Sequence, residues 1–570
     1  MESMTSSHAH AFVVKKMRSL RDVSQGITRW LMLVTALVLA SILQMWWFQT
    51  TYKVQAPAAD GTYAEATLGP IDTLNPLYAR TSAELSANKL MFSSLFDYDK
   101  TGHLRSDVAT DIQIDSARKV YTVKLRKDVA WHDGTRLTPK DVVFTVNLMK
   151  NPQARSALRS SWMGVEARQL NDETVQFTLP AAYAAFPHAL TFSILPQHLL
   201  GSVTPGTLRE NTFSMAPVGS GPFRYKLIQP FDGQYPHKIL HVTRWENYYR
   251  GSAKLARFEL HAYESQEGIV KALRSGDVIA ATDITGVADD ELPATFKHDT
   301  YPVSGGVFAL FNLQSPSLKD PALRQALQRG TNTTKVRSAI DNPPKLDLPF
   351  LPYQVNGNAL PQKPSLDTVA ANKLLSDAGW VRGASGIRTK AGQKLSLRVV
   401  HVKDKQYKTV ARQLANNWRT LGFDVKVIEF DPTTNSQSFT QAVLQPRSYD
   451  VLINEQIIGA DPDIFAYWHS SQASITGLNF SNYSSGLADD AIASARERTE
   501  LNLRSEKYKT FAKQWLQDVP AIALYQSVME YAHTESAAGI QKDIVLPNAT
   551  DRYSNILYWT ADRAPVYKTP

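Results

Sequence analysis

Alternating and clustered apolar positions divide this chain into short strands and amphipathic helices. Tyr121-Thr122-Val123-Lys124-Leu125 alternates as a half-buried strand should, and Trp131-His132-Asp133-Gly134 makes a turn after it. Thr138-Pro139-Lys140-Asp141 then opens a helix: Thr138 suits the N-cap, Pro139 the first helical position, and Asp141 the return bond of a capping box. Ser82 to Phe96 carries Leu85, Leu90 and Leu95 on a helical pattern, and Ile269 to Arg274 is a short helix stopped by Gly276. Phe308 to Leu313 predicts a strand, Pro321 to Arg329 a helix, and the six prolines from Pro343 to Pro364 a wrapped loop. Asp367 caps the next helix. Leu395 to Val402 is a strand, Val410, Leu414, Trp418 and Leu421 share one helical face, and Val425-Lys426-Val427 begins another strand. That run has the length of a crossover between parallel strands. A helix with Tyr508, Phe511 and Trp515 on its face precedes a strand from Pro520 to Tyr525. The pattern is α/β, in two lobes.

One stretch stands out for chemistry. Tyr449 to Ile458 reads as a buried strand, rich in β-branched and long aliphatic residues, and ends at Gly459-Ala460-Asp461-Pro462-Asp463. Phe465, Tyr467, Trp468, His469 and then Asn479 to Tyr483 follow. Carboxylates at the carboxyl end of a strand, beside aromatic walls, suit a cleft that captures a small cationic group. Asp residues that cap a helix after a turn would look the same.

At the N-terminus, Lys15, Lys16, Arg18, Arg21 and Arg29 precede an apolar run from Trp30 to Phe48. At about 1.5 Å per residue the run nearly spans a hydrocarbon core. The basic flank keeps residues 1–29 cytoplasmic, 30–48 is a transmembrane anchor, and 49–60 a linker. A cleaved signal peptide with Ala56-Pro57-Ala58 as its small-x-small site is the competing reading. Either way the remainder is exported.

The chain of 570 residues is too long for one core. Its net charge of +9 comes from dispersed residues, with no basic stripe interleaved with aromatics to bind nucleic acid. Cysteine is absent, which removes disulfides, thiolate metal sites, a Cys nucleophile and a lipid-bearing Cys. Among the 13 histidines no His-x-x-x-His spacing with a nearby carboxylate argues for a metal site, so no metal or other cofactor is expected. No Gly-x-Ser-x-Gly elbow follows a strand, and no enzymatic role is expected. Gly219-Ser220-Gly221 leads into Pro222, which has no N–H to offer a phosphate.

The order of segments resembles bacterial extracellular solute-binding proteins of family 5, the peptide- and nickel-binding components of ABC importers. The residues that carry it include Trp131 to Gly134, Asp141 to Phe144, Pro217 to Phe223, and Trp245 to Tyr249. Leu323 to Leu327, Ala378-Gly379-Trp380, Asp461-Pro462-Asp463, Trp468 to Ser471 and Asp518 to Ile522 complete the set. The resemblance implies a clamshell of the type II periplasmic-binding-protein kind. Lobe I would take 61–305 plus 526–570, with an extra subdomain near 97–205, and lobe II 306–525. Hinges fall near Ser304-Gly305-Gly306 and Tyr525-Gln526. It further implies that Asp461 receives the α-ammonium group of a short peptide, with Asp463 the alternative carboxylate. Main-chain bonds would come from the edge strand around Glu455, Gln456, Ile457 and Gly459. Trp468, Tyr467 and Asn479 are candidates for the pocket wall, with a buried aromatic that supports the loop fitting Trp468 and Tyr467 at least as well; His469 is a weaker candidate, ranked below a structural hydrogen-bonding role. His132-Asp133 shapes a turn in the outer subdomain. The expected partners are short peptides and ABC permease subunits, with the receptor monomeric and tethered by its helix. A nickel chelate or an oligosaccharide as cargo, or a sensor or scaffold role, are the alternatives.

Overall fold

The computed structural model describes residues 26–47, 53–355, 360–431 and 434–567. Two units are distinct. The first holds helix α1 (Gly26–Trp47), long and apolar enough to cross a membrane, and a ribbon in which Lys53–Ala58 pairs antiparallel with Asp562–Tyr567. The expected linker over 49–60 therefore contains a strand, whose residues from Lys53 to Ala58 pair one by one with Tyr567 back to Asp562. Most of the expected cytoplasmic segment, with Lys15 to Arg21, and Phe48 lie outside the described residues.

The second unit, Ala59–Ala561, is built on one ten-stranded sheet. In chain order its strands are β1 (Thr62–Leu68), β2 (Phe223–Phe231), β3 (His237–Arg244), β4 (Arg257–Tyr263), β5 (Ala280–Ala281) and β6 (Phe296–Phe311). They continue with β7 (Ser396–Val402), β8 (Asp424–Phe430), β9 (Val451–Ile457) and β10 (Ala521–Thr534). The spatial order is β8-β7-β9-β6-β10-β5-β1-β4-β3-β2. Two long strands, β6 and β10, run antiparallel through the middle and belong to both lobes. Their register shifts between Pro302 and Gly306 and again between Val307 and Phe308, where the chain passes from one hydrophobic core to the next. The strand predicted from Phe308 thus begins twelve residues earlier, at Phe296. Pro302 does not stop it because it falls at the first of these register shifts, where a missing N–H is tolerated. The paired glycines Gly305 and Gly306 lie inside the strand. A Cβ on Gly306 would sit 2.2 Å from Leu346 Cδ2, so this glycine serves close packing.

Lobe I packs Tyr63, Leu90, Tyr121, Phe177, Phe258 and Trp559 into one core. The outer subdomain is an antiparallel four-stranded sheet covered by a helix at Pro139–Lys150, which starts with the capping box expected of Thr138 and Asp141. His132 fixes it to the rest: its Nδ1 accepts from Gly219 N–H at 3.2 Å and its Nε2 faces Gly221 O at 3.0 Å. Burial lowers His132 to about 4, so the ring is neutral with its proton on Nε2. Gly219 and Gly221 press on the end of α2 (Ser82–Met91), where a Cβ on Gly219 would meet Met91 O at 1.9 Å.

A fully buried network joins the start of lobe I to its end. Arg552 Nη2 donates to Glu65 Oε1 at 2.6 Å and to Ser86 Oγ at 3.0 Å, and Tyr531 donates to Glu65 Oε2 at 2.7 Å. Tyr553 donates to Glu65 as well.

Lobe II carries α3 (Lys405–Thr420) between the parallel strands β7 and β8, and its Val410, Leu414 and Trp418 are buried as the stripe predicts. On the opposite face α4 (Gly486–Glu497) and α5 (Leu501–Asp518) pack Ile492, Tyr508, Phe511 and Trp515 against β9 and β6.

Candidate ligand-binding cleft

The lobes touch. Ala184 N–H of the outer subdomain donates to Arg496 O at 2.9 Å, and Arg118 donates to Glu497 O at 3.1 Å and Glu500 Oε1 at 2.7 Å. The Arg496 guanidinium lies between two rings, 4.3 Å from the Tyr183 centroid of lobe I and 4.6 Å from Phe465 of lobe II. Stacking of this kind holds a cation between aromatic faces without removing its charge.

The strand end that drew attention in the sequence lies beside this contact. β9 pairs with β6 along its whole length, from Val451 opposite Phe311 to Ile457 opposite Gly305. It meets β7 only at Val451 and Leu452. It is therefore internal at its start and becomes an open margin beyond, which narrows the edge strand expected at Asn454 to Gly459. Along that margin Asn454 Nδ2 donates to Glu455 O at 2.7 Å and the Tyr467 hydroxyl to Ile457 O at 2.8 Å. Ile457 is exposed, and Gly459, at φ +79°, turns the chain where a side chain would be strained. The prolyl loop supports this turn: Gln354 Nε2 donates to Gly459 O at 2.7 Å, and Tyr353 shares a hydrogen bond with Ser304 at 2.8 Å.

The two aspartates are already engaged. Arg504 on α5 donates to both Asp461 oxygens, at 2.5 Å each, and also to Tyr508. Burial would lower this guanidinium, but the bonds and charge of Asp461 outweigh it and raise it. Asp463 lies 3.2 Å from Arg496 and is raised by burial against that pairing. The carboxylate expected to receive an ammonium group is thus paired with a cation of the chain itself, in a fork-to-fork geometry that engages both of its oxygens. Across from it stand Tyr98 and His188 of lobe I, hydrogen-bonded to each other at 3.1 Å; burial lowers His188.

Three other candidates are also engaged within lobe II. Trp468 is fully buried, 5.5 Å from Trp515 and 6.0 Å from Phe308, because the apolar face of α5 needs a large partner there. Asn479 is also fully buried; its amide donates to His469 O and Tyr483 O and its oxygen accepts from Tyr483 N–H, which closes a turn. His469 stacks on Phe465 at 4.1 Å and bonds Ser471 at 2.8 Å. Gln456 is buried, and neither end of its amide has a partner among the described residues. Glu455 is exposed along the cleft. Sequence reasoning missed Arg504, Arg496 and Tyr183. Arg504 and Tyr508, one helical turn apart, were the available local signal.

Residues 103–477 match bacterial extracellular solute-binding proteins, family 5 (middle), which is well over half of the chain. The chain belongs to family 5. Among relatives of this family 5 chain, the oligopeptide-binding protein AppA of Bacillus subtilis is 25% identical over 513 residues, covering 85% of this chain and 89% of AppA. The solved structure of AppA, with a nonapeptide bound, superposes with a TM-score of 0.73 at 22% identity and covers 89% of this chain and 99% of its own. NikZ from Campylobacter jejuni, solved with Ni(L-His), gives 0.75 at 24% identity, covering 88% and 99%. The two-lobed fold and the extracytoplasmic solute-binding class follow.

Proposed function

We propose that this family 5 protein is a receptor that captures short peptides between its lobes and delivers them to an ABC permease, with α1 holding it at the membrane. The observation that carries the reading is the open margin of β9 inside the cleft. Carbonyl oxygens at Glu455 and Ile457 accept from side chains there, and an extended peptide can replace those donors with its own N–H groups. Strand addition of this kind takes its affinity from the main chain, so it tolerates varied side chains. The oligopeptide named for AppA supports the same class of cargo.

Native mass spectrometry of the protein purified from its own host tests this. Co-purified masses that fragment as peptides are the expected result. A nickel chelate or a sugar in their place overturns the peptide reading and leaves the receptor fold standing. The N-terminal residue of the same sample decides the anchor: a chain that starts after Ala58 has lost α1.

A further inference from the structure

Lobe I holds a cavity of about 220 Å³ between α2, the helix at Pro139–Lys150 and the turn at Asn548. Leu77, Leu85, Phe92, Met149 and Phe192 make its wall largely apolar, and Tyr98, which faces Asp461 across the cleft, forms one edge. Leu85 is 45% exposed and marks the mouth. The charged group at the wall is already paired: Lys89 donates to Asp97 at 2.5 Å and to Asp551 at 3.0 Å. Its hydroxyls are engaged too, Thr145 donating to Asp141 O at 2.7 Å, Thr191 to His188 O at 2.9 Å and Ser94 to Phe96 O at 2.6 Å. Asn88 is different. It stands at the wall on α2, 5% exposed, and its side-chain oxygen has no hydrogen-bond partner among the described residues. A half-turn of the amide exchanges oxygen and nitrogen, so Asn88 can offer the cavity an acceptor or a donor. A buried amide without a partner is costly, and a guest that bonds it removes that cost. An apolar cavity of about 150 Å³ already admits benzene, so this larger one has room for a ring with a polar tip. Tyrosine and tryptophan have that shape, an apolar body with one group that needs a partner when buried.

We propose that this cavity is the subsite for one side chain of the bound peptide, an uncharged aromatic ring that carries a hydrogen-bonding group (tyrosine or tryptophan), held through the Asn88 amide. The inference rests on the peptide-receptor reading and gives it a side-chain preference.

The test uses the full-length protein in detergent, with tetra-alanine and its variants carrying one Tyr, Trp, Phe or Leu at each position in turn. Retained peptides are quantified by mass spectrometry. Expected for wild type is a preference for Tyr over Phe on the order of tenfold at one position, with Trp favoured at the same position. Asn88→Leu keeps the bulk and the helix propensity but removes the amide, and should bring that Tyr-to-Phe ratio close to one. Leu85→Trp fills the mouth from an exposed position, and should lower Tyr, Trp and Phe peptides together relative to tetra-alanine; it carries the test should Asn88→Leu fail to fold. A wild-type ratio near one at every position, a ratio that survives Asn88→Leu, or undiminished aromatic peptides in Leu85→Trp overturns the inference while the receptor reading stands. A wild type that retains no peptide of any kind overturns both.

Discussion

Replacing Asp461 by Asn should unfold lobe II more easily and should do so whatever the ligand. Asp461 and Arg504 keep 12% and 10% of their side-chain surface and share two bonds at 2.5 Å. Removing one member of a buried pair costs about 3–5 kcal/mol, because the other charge stays in place. An Asn oxygen still accepts one bond, so the lower figure of about 3 kcal/mol applies. For a unit of some two hundred residues that corresponds to a fall in melting temperature of about 6–12 °C. Arg504 would keep Ala495 O at 3.1 Å and Tyr508 as partners, so it would not leave the site. Differential scanning calorimetry of the full chain, with free-amine and acetylated peptides titrated in parallel, measures both effects. Asp461→Leu combined with Arg504→Met should recover much of the loss, since two apolar groups replace two charges. A shift below about 2 °C, together with selective loss of free-amine peptides, would refute the reasoning and return Asp461 to the ligand.

Three further expectations follow from single contacts. Trp468→Ala should cost about 3–5 kcal/mol by opening a cavity against Trp515 and Phe308, with peptide affinity of the folded fraction unchanged; a large drop in affinity at constant stability contradicts its burial. His132 is neutral in the fold at about 4 against an ordinary 6.5, so the unfolded chain binds the extra proton first. The stability this gives is complete above pH 6.5 and is lost as pH falls towards 4, about 2 kcal/mol of it by pH 5; urea midpoints at pH 7 and 5 should show it in wild type and less of it in His132→Gln. Arg496→Met removes the cation held between Tyr183 and Phe465 and frees Asp463, so small-angle scattering of ligand-free protein should show a larger radius; an unchanged radius would mean the contact does not hold the lobes.

What was legible in the sequence was local. The capping box at Thr138 and Asp141, the stripe of Val410, Leu414 and Trp418, and the alternation of Tyr121 to Leu125 each depend on neighbours within a turn or two, and all formed. The site was not legible in the same way. Asp461 and Arg504 are 43 positions apart, and Asp461 reads in sequence as a free carboxylate until the fold brings α5 to it. Trp468 stands just before the polar run His469 to Gln472 and Asn479 is itself polar, yet α5 and the turn at Tyr483 bury both. Pro302 reads as a strand breaker, and only the pairing of β6 with β10 shows that the strand continues through it.

The buried guanidinium of Arg552 also imposes an order of assembly. Its partners Glu65 and Ser86 are made nearly five hundred residues earlier, so the first lobe cannot seal its centre while the chain is still emerging on the far side of a membrane. The second lobe draws its cores from a single uninterrupted stretch and meets no such delay. A half-exported molecule would therefore present one finished domain and one waiting for its last clasp. Proteases at the exit, and any escort that shields early strands, would meet that unfinished half first.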